Sequence, residues 1–300
     1  MYSGCGTALV TPFQDDLTLD EKAMRALVKR QLDAGIDFLV PCGTTGESPT
    51  LTHEEHLRVV EITLEEAKGK VPVVAGAGGY NTAEVLRLAK ELQAMGVDGL
   101  LSVTPYYNKP TQEGLYQHYK LLAETVNLPI IVYSVQGRTG VNVEPATLKR
   151  LAELPNIVAV KEASGNISQM AKIVHEVPRN FHMLSGDDSI TIPVIALGGK
   201  GIISVVSNQI PGEMTQLTRL ALQGDFDGAR QLQRKFLPLM EMNFIEPNPQ
   251  PIKAAMAMMG LLKPVWRLPM IPPQPQTLVT IERVLSSLNM MAQRSVHVTG

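Results

Sequence analysis

Short apolar runs recur along the chain, and each is followed by a longer segment in which apolar positions return at steps of three and four. The runs are Gly6 to Val10, Phe38 to Pro41, Pro72 to Ala75, Gly99 to Val103, Pro129 to Tyr133, Ile157 to Val160, Phe181 to Leu184 and Gly201 to Val205. Most are apolar on successive residues, as in Ile130-Ile131-Val132 and Ile157-Val158-Ala159-Val160. That pattern predicts parallel strands covered on both faces; strict alternation would have predicted an antiparallel sheet.

The intervening segments predict helices. Val85, Leu88, Ala89, Leu92 and Met95 form one apolar stripe suited to packing on a sheet. Thr18 with Glu21 and Thr52 with Glu55 have capping-box spacing, and Gly35 and Gly96 read as helix stops. Eight strand-helix units predict a (β/α)8 TIM barrel, an α/β fold in which closure removes both sheet edges. An open doubly wound sheet is the alternative. After Pro211 only helical patterns follow, near Met214 to Leu222, Asp225 to Met242, Pro251 to Leu262 and Gln276 to Met291. The expected organisation is a catalytic barrel over residues 1–224 and a C-terminal helical appendix over 225–300. Pro269 to Pro275 reads as an ordered connection, and Ser295 to Gly300 as a fraying end.

Composition narrows the function classes. With 44% hydrophobic and 19% charged residues among 300, the chain is neither a disordered segment nor membrane-dominated. Lys and Arg number 27 against 29 Asp and Glu, with no run of like charge, so bulk electrostatics support neither nucleic-acid nor anionic-membrane binding. The most apolar stretch, Ile190 to Val206, is broken at Gly198-Gly199-Lys200-Gly201 and predicts no membrane span. The two cysteines, Cys5 and Cys42, form no disulfide framework, and Met1 to Gly6 lacks the pattern of a secretory signal. The expected location is the cytoplasm.

A barrel carries its chemistry at the C-terminal ends of its strands, so the polar residues just after each apolar run are the candidates. Lys161 follows Ile157 to Val160. An ammonium there leaves water, which favours the neutral amine that a Schiff base requires. A solvated strand end is the plainer reading of the same residue. Tyr133 ends the neighbouring run, where a phenol can shuttle protons or simply fill the core. Arg138 lies in Gly137-Arg138-Thr139-Gly140, read as a glycine-flanked loop that presents a guanidinium to a carboxylate, or else as a surface arginine. Gly43-Thr44-Thr45-Gly46 offers hydroxyls and backbone N–H groups to a small carboxylate, or is a tight structural turn.

Other motifs point away from chemistry. Gly76-Ala77-Gly78-Gly79 resembles a phosphate cradle but lacks the Gly-Lys-Ser/Thr ending and the dinucleotide spacing. Asp187 and Asp188 read as helix caps, since no carboxylate-histidine grouping joins them. The six histidines, His53, His56, His118, His175, His182 and His297, fall mostly in helical segments, and no metal site is expected. Cys42 has no histidine partner near it in sequence and reads as a small buried thiol.

Taken in order, Gly43-Thr44-Thr45-Gly46-Glu47, Pro105-Tyr106-Tyr107-Asn108-Lys109-Pro110, Tyr133 with Gly137 to Gly140, Lys161-Glu162-Ala163-Ser164-Gly165, Ser185-Gly186-Asp187-Asp188, Leu197 to Gly201, and Asn248-Pro249 with Lys253 resemble the dihydrodipicolinate synthase family. The likeness runs over nearly the whole chain. It implies condensation of pyruvate with L-aspartate 4-semialdehyde in the diaminopimelate route to lysine, without cofactor or metal. By this resemblance Lys161 forms the Schiff base, while Tyr133, Thr44 and a neighbouring subunit's Tyr107 relay protons. Thr45 holds the pyruvate carboxylate, Arg138 positions the semialdehyde carboxylate, and Gly186 and Ile203 line the pocket. A homotetramer of tight dimers is the family expectation.

A lysine-inhibitor site would use Ser48, His53, His56, Tyr80, Glu84 and Tyr106, although Tyr80 stands where the family has asparagine. Ser134-Val135-Gln136 likewise replaces Asn-Val-Pro, so the segment presenting Arg138 lacks a proline's fixed φ, and Gln250 interrupts the usual apolar position near Asn248. Sibling pyruvate aldolases, such as N-acetylneuraminate lyase or a 2-keto-3-deoxy-sugar-acid aldolase, share Lys161 and Tyr133 by the same resemblance. A non-catalytic keto-acid-binding relative is the alternative of a different class.

Overall fold

Eight parallel strands form the frame of the computed structural model, which describes residues 2–292. They are β1 (Gly4–Ala8), β2 (Phe38–Val40), β3 (Val74–Gly76), β4 (Gly99–Val103), β5 (Ile130–Ser134), β6 (Ile157–Glu162), β7 (His182–Ser185) and β8 (Gly201–Ser204). The helices between and after them are α1 (Glu21–Asp33), α2 (His53–Ala67), α3 (Thr82–Met95), α4 (Gln112–Thr125), α5 (Gln136–Thr139), α6 (Pro145–Leu151), α7 (Ile167–Glu176), α8 (Thr191–Ala196), α9 (Pro211–Leu222), α10 (Phe226–Met242), α11 (Gln250–Met258) and α12 (Pro275–Ser287). The fold is a (β/α)8 TIM barrel with additional C-terminal helices.

The strands pair in the order β2-β1-β8-β7-β6-β5-β4-β3. The seam between β2 and β3 is drawn together by a parallel bridge between Leu39 and Val73, with the Leu39 N–H donating to the Pro72 carbonyl at 2.9 Å. Successive strand residues then belong to different cores. Ala8, Val40, Leu101, Ile131, Tyr133, Ala159, Leu184 and Ile203 fill the barrel interior. Leu39, Leu100, Ile130, Val132, Val160 and Ile202 pack outward, in one cluster with helix residues such as Val59, Leu92 and Ile173. Both faces are apolar, which is why the runs read as continuous in sequence.

Local signals held in part. Thr52 and Glu55 form the expected capping box on α2, and Gly96 ends α3 in the left-handed conformation at φ 84°. Thr18 does not cap α1; the cap is Asp20, whose carboxylate accepts the Ala23 N–H at 3.0 Å. Thr18 instead donates its hydroxyl to Asp16, beside an antiparallel bridge between Phe13 and Leu19 that keeps the segment extended. β1 lies two residues earlier than Gly6 to Val10, because beyond Ala8 the Val10 N–H is taken by the Asn208 side chain at 3.2 Å. The segment around Arg138 is a single helical turn, α5, closed by Gly140 at φ 68°, and not a loop.

The four C-terminal helices are present with shifted ends. α9 starts at Pro211 rather than Met214, because proline suits a first helical position. α11 covers Gln250–Met258 and α12 covers Pro275–Ser287, each ending short of the expected boundary. Gln250 is buried, and its side chain donates to the Ile271 carbonyl at 2.8 Å, tying α11 to the proline-rich connection. Ser295 to Gly300, expected to fray, lies outside the described residues. Among the described residues no helix is long and apolar enough to cross a membrane.

Candidate active site

The strand ladder decides which side chains meet. Lys161 lies opposite Tyr133 in the β5–β6 register and opposite Leu184 in the β6–β7 register. Neighbouring register positions project to the same face, so both side chains enter the barrel at its C-terminal end. Lys161 Nζ stands 4.2 Å from the Tyr133 ring centroid, within range of cation–π attraction. The two residues are only 5% and 6% exposed, which removes the solvated-strand-end reading of Lys161.

Gly186 makes room for this lysine. A Cβ there would meet Lys161 Cε at 3.2 Å and Ala163 Cβ at 2.6 Å. Ile203 belongs to the same interior cluster as Tyr133. Behind the lysine, the next residue, Glu162, points outward and is fully buried, accepting from the Ser164 N–H at 2.7 Å and the Gln169 side chain at 3.1 Å. These bonds hold the end of β6 from the outside of the barrel.

The turn after β2 carries Thr44 and Thr45. It is closed by Gly46 N–H to the Gly43 carbonyl and Glu47 N–H to the Thr44 carbonyl, each at 3.1 Å, and by the Thr11 hydroxyl on the Gly46 carbonyl at 2.7 Å. Thr45 is 2% exposed, and its Oγ1 accepts from Asn248 Nδ2 at 3.0 Å. Gly76 has no room for a side chain, since a Cβ would lie 2.0 Å from the Cys42 carbonyl oxygen. Gly76 therefore serves close backbone approach to this turn, and Gly78 close approach to β4, where a Cβ would lie 2.3 Å from the Val103 nitrogen.

A cavity of about 500 Å³ opens beside the turn. Its lining includes Thr44, Tyr133 and Arg138 together with Ser48, His53, His56, Tyr80, Glu84 and Tyr106. Thr45, Lys161, Gly186 and Ile203 are absent from its lining; Lys161 sits deeper, beside the Tyr133 ring. Tyr107 is also absent from it, at 92% exposure and with a left-handed φ of 70°. Tyr80 packs edge-on against Tyr106 with ring centroids 5.4 Å apart, and His53 contacts Glu91 at 2.5 Å.

Burial sets the protonation of two histidines. His56, whose Nε2 lies 2.9 Å from the Gly76 carbonyl, is pushed down to about 4, and His118 likewise to about 4. Between the unfolded value near 6.5 and about 4, the folded state binds fewer protons than the unfolded one, so stability falls as pH falls through that window. Each site contributes up to about 3 kcal/mol of this loss by its lower end. Melting temperatures measured from pH 7 to pH 4 are expected to drop steeply, and to drop less in a His56→Gln/His118→Gln variant.

Asp187 is a cap, as expected, accepting from the Ser189 N–H at 2.9 Å. Asp188, also expected to cap, does not cap this turn: its buried carboxylate takes the Ser204 hydroxyl at 2.6 Å and the N–H groups of Val205 and Val206, joining the ends of β7 and β8. No group of three or more His, Cys, Asp and Glu side chains fit for a metal ion occurs among the described residues. Sequence reasoning missed one further partnership, Lys253 of α11 with Glu47, at 2.5 Å and essentially without exposure. A lone lysine in the apolar run Pro251 to Met259 was the available signal.

Residues 1–288 match the model of the dihydrodipicolinate synthetase family. The chain is 52% identical over 294 residues to a protein named 4-hydroxy-tetrahydrodipicolinate synthase from Koribacter versatilis, covering 98% of both chains. It superposes with a TM-score of 0.95 on the chloride-inhibited dihydrodipicolinate synthase of Acinetobacter baumannii complexed with pyruvate, at 39% identity and covering 97% of this chain and all of that one. The dihydrodipicolinate synthase of Cyanidioschyzon merolae with lysine bound gives a TM-score of 0.93 at 35% identity, covering 97% of this chain and 99% of that one.

Proposed function

This chain belongs to the dihydrodipicolinate synthetase family, and from that membership we propose how its own residues perform the reaction of a 4-hydroxy-tetrahydrodipicolinate synthase. The enzyme is a lyase of the diaminopimelate route to lysine and joins pyruvate to L-aspartate 4-semialdehyde. The observation that carries the assignment of residues is the buried Lys161 amine, 4.2 Å from the Tyr133 ring at the C-terminal mouth of the barrel.

Lys161 Nζ attacks the pyruvate ketone, and loss of water leaves a protonated imine. The imine draws electrons from the adjacent methyl, which gives up a proton and becomes the nucleophilic carbon of an enamine. That carbon attacks the aldehyde, whose oxygen takes up a proton as the carbon–carbon bond forms. The semialdehyde's amino group then displaces Lys161 from the imine carbon, closing the ring and freeing the enzyme. Tyr133, Thr44 and a partner copy's Tyr107 relay the protons. Thr45 holds the pyruvate carboxylate, Arg138 the semialdehyde carboxylate, and Gly186 and Ile203 shape the pocket.

The projection of Tyr107, 92% exposed on a left-handed backbone, supports its donation to a second subunit. We assign a homotetramer built from such dimers, in the cytoplasm, where free Cys5 and Cys42 stay reduced. Trapping with pyruvate and borohydride, followed by peptide mass spectrometry and a turnover assay with the semialdehyde, tests the scheme. An adduct on Lys161 together with turnover is expected. An adduct without turnover transfers the chemistry to a different acceptor aldehyde, and no adduct removes the Schiff base altogether.

The part of the cavity lined by Ser48, His53, His56, Glu84 and Tyr106 takes L-lysine as inhibitor. Tyr80 lines the same cavity with its ring packed against Tyr106, so inhibition is expected to be weak, and Tyr80→Asn to strengthen it severalfold in steady-state assays. Full inhibition of the parent enzyme at low lysine would count against this.

A further inference from the structure

We propose that Asn248 is a positioning residue that sets the spacing between the two carboxylate-binding groups, Thr45 and Arg138. The proposal rests on the roles assigned to those two residues above. Asn248 is 4% exposed and lies just ahead of α11. Its Nδ2 donates to Thr45 Oγ1 at 3.0 Å, while its backbone carbonyl accepts from Arg138 Nη2 at 3.2 Å. One residue thus touches both groups from a segment that belongs to neither.

The direction of the first bond matters. A threonine hydroxyl has a single hydrogen to donate. Because Thr45 Oγ1 accepts from Asn248, that hydrogen stays free for a carboxylate oxygen. Arg138 makes no ion pair among the described residues, so the Asn248 carbonyl orients its guanidinium and leaves other N–H groups for an anion. Both ends of the link are anchored. The turn bearing Thr45 is pinned by Glu47 to Lys253 on α11 at 2.5 Å, five residues beyond Asn248, and Arg138 rides on the closed turn of α5.

The two carboxylates belong to the molecules that must form a carbon–carbon bond, and their anchors decide how closely the reacting carbons approach. A misplacement on the order of 1 Å costs about a hundredfold in rate. Asn248 holds that separation without touching either substrate.

The test is a double-mutant cycle of Asn248→Ala with Thr45→Val, read as separate KM values for pyruvate and the semialdehyde alongside kcat and melting temperature. Asn248→Ala is expected to raise the pyruvate KM about as much as Thr45→Val does, on the order of tenfold for one lost hydrogen bond to a charged group. The double variant is expected to be no worse than the poorer single one. The semialdehyde KM is expected to rise by the same, smaller factor in both single variants, since either loses the bond that holds Asn248 to Thr45 while the backbone carbonyl that Arg138 meets is kept. If Asn248→Ala fails to fold, the near-isosteric Asn248→Asp serves: its carboxylate would capture the Thr45 hydrogen, so its effect on the pyruvate KM is expected to shrink in the Thr45→Val background. Unchanged KM values, or effects of the two substitutions that multiply independently, would overturn the proposal. Borohydride trapping of the parent enzyme separates the two levels, because a parent that forms no pyruvate adduct on Lys161 sinks the assignment of the site and this inference with it.

Discussion

Lys161→Ala is expected to give a folded protein whose turnover falls by about 10⁴- to 10⁶-fold, the scale on which removal of a covalent nucleophile is felt. At 1.36 kcal/mol per factor of ten, that is about 5–8 kcal/mol of transition-state stabilisation. The fold should survive because the Lys161 amine makes no hydrogen bond or ion pair among the described residues; its close neighbour is the Tyr133 ring. Losing the side chain therefore strands no buried partner. The check is steady-state turnover with the melting temperature measured in parallel, together with loss of the borohydride-trapped adduct. Near-parental turnover from the variant would end the Schiff-base mechanism, whatever adduct the parent forms.

The largest effect on stability is expected at Lys253→Met. Lys253 and Glu47 are paired at 2.5 Å with side-chain exposures of 0% and 1%. Burial pushes each toward its neutral form, Glu47 upward and Lys253 downward, and the opposite charge of the partner resists that shift. Methionine keeps the length and apolar bulk of lysine but leaves the Glu47 carboxylate buried alone, at a cost of about 3–5 kcal/mol. Adding Glu47→Gln should recover most of it, since replacing both members of a buried pair is commonly near neutral. Urea unfolding of the two single variants and the double variant checks this. A Lys253→Met protein as stable as its parent would mean that Glu47 takes up a proton at no cost.

The pair also bears on the proposed site, because Glu47 follows the turn that carries Thr44 and Thr45. Phe13 lies between two cations here, with Lys253 Nζ 4.3 Å and Arg267 Cζ 4.1 Å from its ring centroid. Arg267 in turn bonds the Leu17 and Thr50 carbonyls and the Glu55 carboxylate. Lys253 of α11, through a buried ion pair, and Arg267 of the connection between α11 and α12, through part-buried contacts, thereby reach the turn after β2 and its surroundings.

Much of this was legible in the chain. Continuous apolar runs separated by periodic segments carried the eight strands and the barrel, because two-sided burial writes itself into consecutive residues. Polar residues at the ends of those runs marked Lys161, Tyr133 and the Thr44-Thr45 turn. Boundaries were harder: Thr18 and Asp20 are both good caps, and the choice fell to Asp20 because a bridge to Phe13 holds Leu19 extended. Arg138 sits on a helical turn where glycines on either side read as a loop.

What the sequence by itself determined was therefore the kind of fold and which polar residues stand at its strand ends, since strand periodicity and strand-end polarity are local properties. Only the tertiary structure decided which of them meet. The strand ladder sets Lys161 beside Tyr133 across 28 positions of chain, and packing of the C-terminal segment brings Asn248 to Thr45 across 203. Such partnerships leave no periodic trace, because they depend on how far each strand is staggered against the next and on where an appended helix comes to rest.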